Sequence, residues 1–280
     1  MDKKTKPYPD EIYRRIDGFR LFDDTFMSKV FDGQKEETAL LLQIILDDPG
    51  IKVISVHAQV EIKNLQGRSA RLDIRARGSN GVIFAVEVQR ADAGAIPKRA
   101  REISSLIDAN ALKVNQDFDK LPETYVIFIT EHDVLEKERP IYHIDRIIQE
   151  SGEPFGDMAH IIYVNGETDD DTAIGMLMHD FHCTQAKDMY YPILAERVRY
   201  FKETQRGRDS MCTIVEEYAE ERVKEAVSEA VSKANKAAII NGLRGGILTK
   251  DTVSVLYPKL KPAEIETLYK ESQKPPRRSR

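Results

Sequence analysis

Apolar and polar residues alternate from Arg71 to Arg77, with Leu72, Ile74 and Ala76 on one side and Arg71, Asp73, Arg75 and Arg77 on the other. A period of two marks a strand buried on one face. The next run, Val82 to Gln89, is apolar at first and alternates only at its end. That pattern predicts a strand covered on both sides that emerges at its C-terminal end, with Glu87 and Gln89 pointing to one side. Between the two runs, Gly78-Ser79-Asn80-Gly81 predicts a hairpin turn. With Ser79, Asn80 and Gly81 as the loop and Gly81 left-handed, Gly78 pairs with Val82 and Asp73 falls opposite Glu87. A loop one residue longer would set Asp73 against Val86 instead.

The same reading extends along the chain. The segment DDTFMSKVFDGQKEETALLLQIILDD has helical periodicity, broken near Asp32-Gly33, with Leu41, Ile44 and Ile45 on a buried face. IKVISVHAQVEI predicts a strand before the hairpin. AIPKRAREISSLIDANAL predicts a helix after it, with Pro97 near its start and Ile103, Leu106 and Ile107 facing the core. TYVIFIT reads as a buried strand and HIIYVNG as another. This order implies an α/β domain, a mixed sheet flanked by helices. From Met211 onward the composition changes. Val215, Ala219, Val223, Ala226, Ala230 and Ala234 form a narrow stripe among charged residues, the mark of a long helix that serves as a linker or a homodimer contact. Gly245-Gly246 ends it, and two short helices follow, from about Lys250 and from Pro262, before the basic tail KPPRRSR. The expected divisions are 1–205 for the α/β domain, 206–242 for the long helix, 243–272 for a small helical segment and 273–280 for a disordered tail.

Composition narrows the function classes. The 280 residues are 41% hydrophobic and 32% charged, and no apolar stretch is long enough to span a membrane. The opening MDKKTKPYPD has no apolar h-region, so neither export nor a membrane partner is expected and the cytoplasm is the default location. Cys183 and Cys212 are too far apart for a zinc pair, which fits a reducing compartment. The net charge of -5 argues against a generally basic nucleic-acid binder. Locally, however, Arg68, Arg71, Arg75 and Arg77 cluster at the hairpin, followed by Lys98, Arg99 and Arg101. Such a group either meets a phosphate backbone or forms a solvated rim.

Opposed side chains on neighbouring strands lie about 5 Å apart, and like charges there repel. Asp73 and Glu87 therefore need a positive charge between them. Arg71 and Arg75, on the face of Asp73, could supply it as ion pairs; a divalent cation is the other solution, and oxygen ligands with room for water suit Mg²⁺. The pattern alone leaves both open. In MHDFHC, His179 and His182 would share a helix face beside Cys183, but zinc would need a fourth ligand, so core packing is expected there. Asp169 to Asp171 read as a solvated turn, and Lys29 and Lys35 as solvated helix residues.

Several segments, taken together and in order, resemble the PD-(D/E)XK nuclease family transposases, the Rpn-type recombination-promoting nucleases. They are DDTFMSKVFD, GRSARLDIRARGSNGVIFAVEVQRA, PKRAREISSLIDAN, LPETYVIFITEHDV, IYHIDR, HIIYVNG, MHDFHC and RVRYFK. The resemblance implies a restriction-endonuclease-like core with an α-helical C-terminal extension. It implies that Asp73 and Glu87 hold Mg²⁺, or Mn²⁺ in its place, with the backbone carbonyl of Val88 as a further ligand. Gln89 then occupies the position of the signature lysine. Asp24 resembles the additional acid of the first helix, with Asp23 and Glu36 as alternatives. The implied activity is metal-dependent DNA endonuclease cleavage linked to recombination or mobile elements; the alternative is a DNA-binding or scaffolding protein that keeps the fold without catalysis. Arg71, Arg75, Arg99 and Arg101 are the candidates for DNA-phosphate contact. The chain departs from the family pattern at Glu102-Ile103, where an aromatic usually follows the arginines.

Overall fold

The long apolar run of the hairpin becomes the centre of the molecule. Strands β1 (Val53–Ile62), β2 (Ala70–Gly78), β3 (Ile83–Gln89), β4 (Thr124–Thr130), β5 (Ile141–Ile144) and β6 (Ala159–Asn165) form one sheet in the order β1-β2-β3-β4-β6-β5. β1, β2 and β3 run antiparallel; β3, β4 and β6 run parallel; β5 returns antiparallel on β6. The computed structural model describes residues 10–64, 67, 69–91, 94–257 and 262–273, without the side chains of 217–234 and 262–263. Arg68 and the tail from 274 lie outside the described residues.

Alternation along β3 divides the core in two. Phe84, Val86 and Val88 pack with helices α2 (Asp24–Phe31), α3 (Lys35–Ile45), α5 (Ala173–His182) and α6 (Pro192–Glu203) through residues such as Phe26, Leu41, Phe181 and Val198. Ile83 and Ala85 pack on the other side against Ala100, Ile103 and Ile107 of α4 (Pro97–Ala109). Both faces of β3 and β4 are thus covered, which is why these strands are apolar throughout. Pro97 opens α4, where a missing N–H costs nothing. Gly33, at φ 72°, separates α2 from α3 as the sequence predicts. Two elements lack a clear sequence signal: α1 (Asp10–Asp17), and β5, a short edge strand whose residues are half-buried or exposed.

A buried lysine helps to hold this architecture together. Lys202 is 6% exposed, and its ammonium donates to the carbonyls of Asp17, Phe19 and Thr184 at 3.1, 2.5 and 2.5 Å. It ties α6 to the segment that leads into α2, and burial lowers its pKa to about 8.

The chain divides into two compact units, Met1–Val215 and Glu216–Arg280. The boundary at 205 expected from composition coincides with the start of α7 (Gln205–Arg244) rather than with the end of the first unit, because Met211, Cys212 and Val215 are buried in its core. In the second unit Ile239, Leu243, Val253, Ile265 and Leu268 cluster with α8 (Lys250–Leu256) and α9 (Pro262–Ser272), and a Thr249–Thr252 capping box starts α8. Most of the small-residue stripe considered for self-association falls on 217–234, whose side chains lie outside the description. Among the described residues no helix is long and apolar enough to cross a membrane.

Candidate active site

The site grows out of the hairpin register. β2 and β3 pair from Arg77↔Ile83 to Ile74↔Val86, the Gly78 N–H donates to the Val82 carbonyl at 2.9 Å, and Gly81 takes φ 95°. The loop is therefore Ser79 to Gly81, and the next step of the ladder sets Asp73 across from Glu87. Backbone pairing stops there and side chains close the step. The Asp73 N–H donates to Glu87 Oε1 at 3.2 Å, and the Val88 N–H donates to Asp73 Oδ2 at 2.9 Å. Each carboxylate thus occupies a place in the hydrogen-bond ladder, which fixes its direction.

Both acids are deeply buried, Asp73 at 8% exposure and Glu87 at 0%. Burial first, then the negative charge of Asp24, pushes Asp73 up to about 7, against the Val88 N–H and the guanidinium groups of Arg99 and Arg71. Burial, then Asp73, pushes Glu87 up to about 8, with Arg99 opposing. These are the effects of desolvation and of like charges sharing a site. Asp24, exposed at the first turn of α2, adds its negative charge to both acids, although the three carboxylates do not form a set of donor atoms within 4.8 Å of one another.

The direct counter-ion is neither Arg71 nor Arg75. Arg99, from α4, donates to Glu87 Oε2 at 2.7 Å, to the Gly94 carbonyl at 2.9 Å and to Gln89 Oε1 at 3.4 Å. Gln89 is therefore part of the site, and a Cβ on Gly94 would collide with its amide. Arg71 and Arg99 line, with Lys98 and Glu102, a groove of about 480 Å³. Arg75 and Arg101 are exposed and do not line that groove. Of the alternatives to Asp24, Asp23 is engaged elsewhere: it pairs with Arg90 at 2.8 Å and accepts the Arg20 N–H at 2.7 Å, within a network in which Glu131 bridges Arg20 and Arg90. Glu36 is exposed on the first turn of α3.

Sequence reasoning passed over one member. Gln59 of β1 donates to Asp24 Oδ1 and to Ser28 Oγ, both at 2.6 Å. The available signal was the spacing of Asp24, Ser28 and Asp32, one stripe of the helix that faces β1, where Asp32 also accepts the Ala58 N–H at 3.0 Å.

All ligands suggested for the pair are oxygens, the donor set of a hard cation. The buried Asp73–Glu87 pair has one directly bonded guanidinium, with the charge of Asp24 acting on both acids, so the donor set fits a divalent ion. A family profile, that of the PD-(D/E)XK nuclease family transposases, matches residues 25–170, more than half of the chain. The chain belongs to this family. The PD-(D/E)XK match includes Asp73, Glu87 and Gln89 and begins one residue after Asp24. Membership and the six-stranded mixed sheet agree on a restriction-endonuclease-like fold and a nuclease role. Searches of curated proteins and of solved structures each returned no match.

A second cluster, His179, Asp180 and Cys183, brings three donor atoms within 4.8 Å of one another. Its groups already have partners. Asp180 accepts the N–H groups of Tyr190 and Tyr191 at 2.7 and 2.9 Å, and the Cys183 thiol donates to the Asp188 carbonyl at 3.7 Å. Burial pushes that thiol up to about 11. His182 turns to the Gly166 carbonyl at 3.0 Å. The cluster fastens the turn after α5.

Proposed function

We propose that this PD-(D/E)XK protein is a Mg²⁺-dependent DNA endonuclease, with Asp73 and Glu87 holding the ion, Asp24 as the third acid and the Val88 carbonyl as a further ligand. The observation that carries this reading is the burial of two carboxylates on adjoining strands with too little positive charge to balance them and Asp24. When bound, the ion would draw charge from the scissile phosphate and acidify a water, as Mn²⁺ also would. The chain's own groups do the rest. The N–H groups of Asp73 and Val88 hold the two carboxylates in place. Arg99 neutralises part of the charge and, with Arg71 and Lys98, offers a basic wall to the phosphates of one strand. Gln89, where the family signature has lysine, orients the attacking water or a phosphate oxygen by hydrogen bonds, since its amide both donates and accepts but carries no charge. Cys183 and Cys212 are not joined in a disulfide, which fits a cytoplasmic setting. The transposase in the family's description supports a role on recombining or mobile DNA. The buried Asp73–Glu87 pair, with Gln89 and Arg99 beside it, favours catalysis over a scaffold that merely keeps the fold.

The test is cleavage of supercoiled plasmid by wild type, Asp73→Asn and Glu87→Gln with Mg²⁺, Mn²⁺ or EDTA. We expect cleavage that depends on the ion and falls at least about 1,000-fold in either variant. Equal nicking by all three proteins would defeat the assignment.

A further inference from the structure

We propose that Gln59 is a positioning residue of this site, its amide holding the Asp24 carboxylate toward Asp73 and Glu87. The inference rests on the metal-site reading above. Three observations carry it.

The first is register. β1 and β2 pair at Ala58↔Ile74 and Val60↔Leu72, so Gln59 is the β1 residue across from Asp73. β1 thereby completes the site from the side opposite β3. The second is the backbone. Gln59 has φ 53° inside a strand, whereas the other non-glycine residues with positive φ among the described residues, Asp47, Asn115, Glu136, Glu138 and Met158, lie outside strands and helices. Left-handed backbone is costly for a residue with a long side chain and persists where surrounding contacts over-determine it. The third is what those contacts are. The amide nitrogen reaches Asp24 Oδ1 and the buried Ser28 Oγ at 2.6 Å each, while the preceding Ala58 N–H donates to Asp32 Oδ1 at 3.0 Å. A carboxylate only accepts, so the group facing Asp24 must be the NH₂ end of the amide.

The chemistry follows from these contacts. Asp24 sits on the first turn of α2 and is exposed, so its carboxylate would otherwise sample several rotamers. The Gln59 amide engages one oxygen and leaves the other for the shared centre. A neutral donor does this without cancelling the charge that attracts the cation, as an arginine or lysine at the same position would. The strain at residue 59 then has a use: an ordinary strand conformation would direct the side chain elsewhere.

The experiment is Mn²⁺ titration by calorimetry on the full chain, with thermal unfolding measured in EDTA, for wild type, Asp73→Asn, Gln59→Gly, Gln59→Asn, Asp24→Asn and the Gln59→Gly/Asp24→Asn pair. Glycine relieves the backbone and removes the amide, so Gln59→Gly is expected to melt at or above the wild-type temperature yet bind Mn²⁺ about tenfold more weakly. Asparagine tolerates the same backbone but is shorter, and should be weakened as well. In the Asp24→Asn background the Gln59→Gly change should have little further effect, because the residue acts through Asp24. Unchanged Mn²⁺ affinity in Gln59→Gly, an undiminished loss in the Asp24→Asn background, or failure of Gln59→Gly to fold would each overturn the proposal. If wild type binds Mn²⁺ no better than Asp73→Asn, it is the metal-site reading that has failed.

Discussion

Arg99 occupies an unusual position among the site residues, since it bonds the most deeply buried acid while remaining about one-third exposed itself, at 35% for its side chain. Removing it would leave Glu87 buried without a counter-ion. For Arg99→Ala in EDTA we expect a loss of about 2 kcal/mol at pH 8, below the range of roughly 3–5 kcal/mol for a fully buried pair because the guanidinium is partly solvated. At pH 5 the loss should be smaller, because Glu87, already raised to about 8, then carries a proton and needs no partner. Urea unfolding at the two pH values would check this. A second expectation concerns Gly94. Gly94→Ala forces the Gln89 amide aside, and since that amide ends a flexible side chain the fold should survive. Melting should change by less than about 2 °C while cleavage falls about tenfold, a split readable by parallel unfolding and plasmid assays. At this scale the two central acids were legible, because their alternation with apolar residues fixes their faces. The counter-ion was not. Proximity in sequence favours Arg71 and Arg75, but Arg99 is brought in by the docking of α4 on β4, a packing decision no local pattern contains.

The hairpin joining β2 to β3 is the element on which the site's alignment depends, and its turn chemistry made the register readable from sequence. Gly81 takes φ 95°, where a side chain is strained. Gly81→Val should therefore cost about 1–2 kcal/mol by denaturant unfolding. If instead the turn relaxed into a longer loop, Asp73 would slide against Val86 and metal binding would vanish with it. Other elements were less legible for physical reasons. β5 is a short edge strand, half-buried at best, and gains its place by pairing with β6, so its own residues carry little period-two signal. On α2, Asp24 is marked by family resemblance, whereas Ser28 and Asp32 carry no local sign of their partners. Asp24, Ser28 and Asp32 acquire their partners only because β1 runs alongside them.

For the whole molecule, the buried acids make stability depend on pH in a definite direction. In the unfolded chain Asp73 and Glu87 titrate near their ordinary values of 3.8 and 4.5; in the metal-free fold they titrate at about 7 and about 8. Between those limits the folded state binds more protons than the unfolded one, so stability falls as pH rises, by at most about 1.4 kcal/mol per pH unit for each proton. Melting temperature in EDTA should decline from pH 5 to pH 8, with a flatter slope in Asp73→Asn. Mg²⁺ should raise it more at pH 8 than at pH 6, since the ion favours the ionised pair. Scanning calorimetry across this range would show both trends. Lys202 has a different consequence, one for the order of assembly. Its ammonium is the clasp on the carbonyls of Asp17 and Phe19, just ahead of the helix that bears Asp24. On the ribosome, that helix emerges long before the clasp is translated. A nascent chain halted anywhere short of α6 therefore lacks the clasp on the segment that leads into α2, and the first unit is expected to finish packing only once α6 has left the exit tunnel.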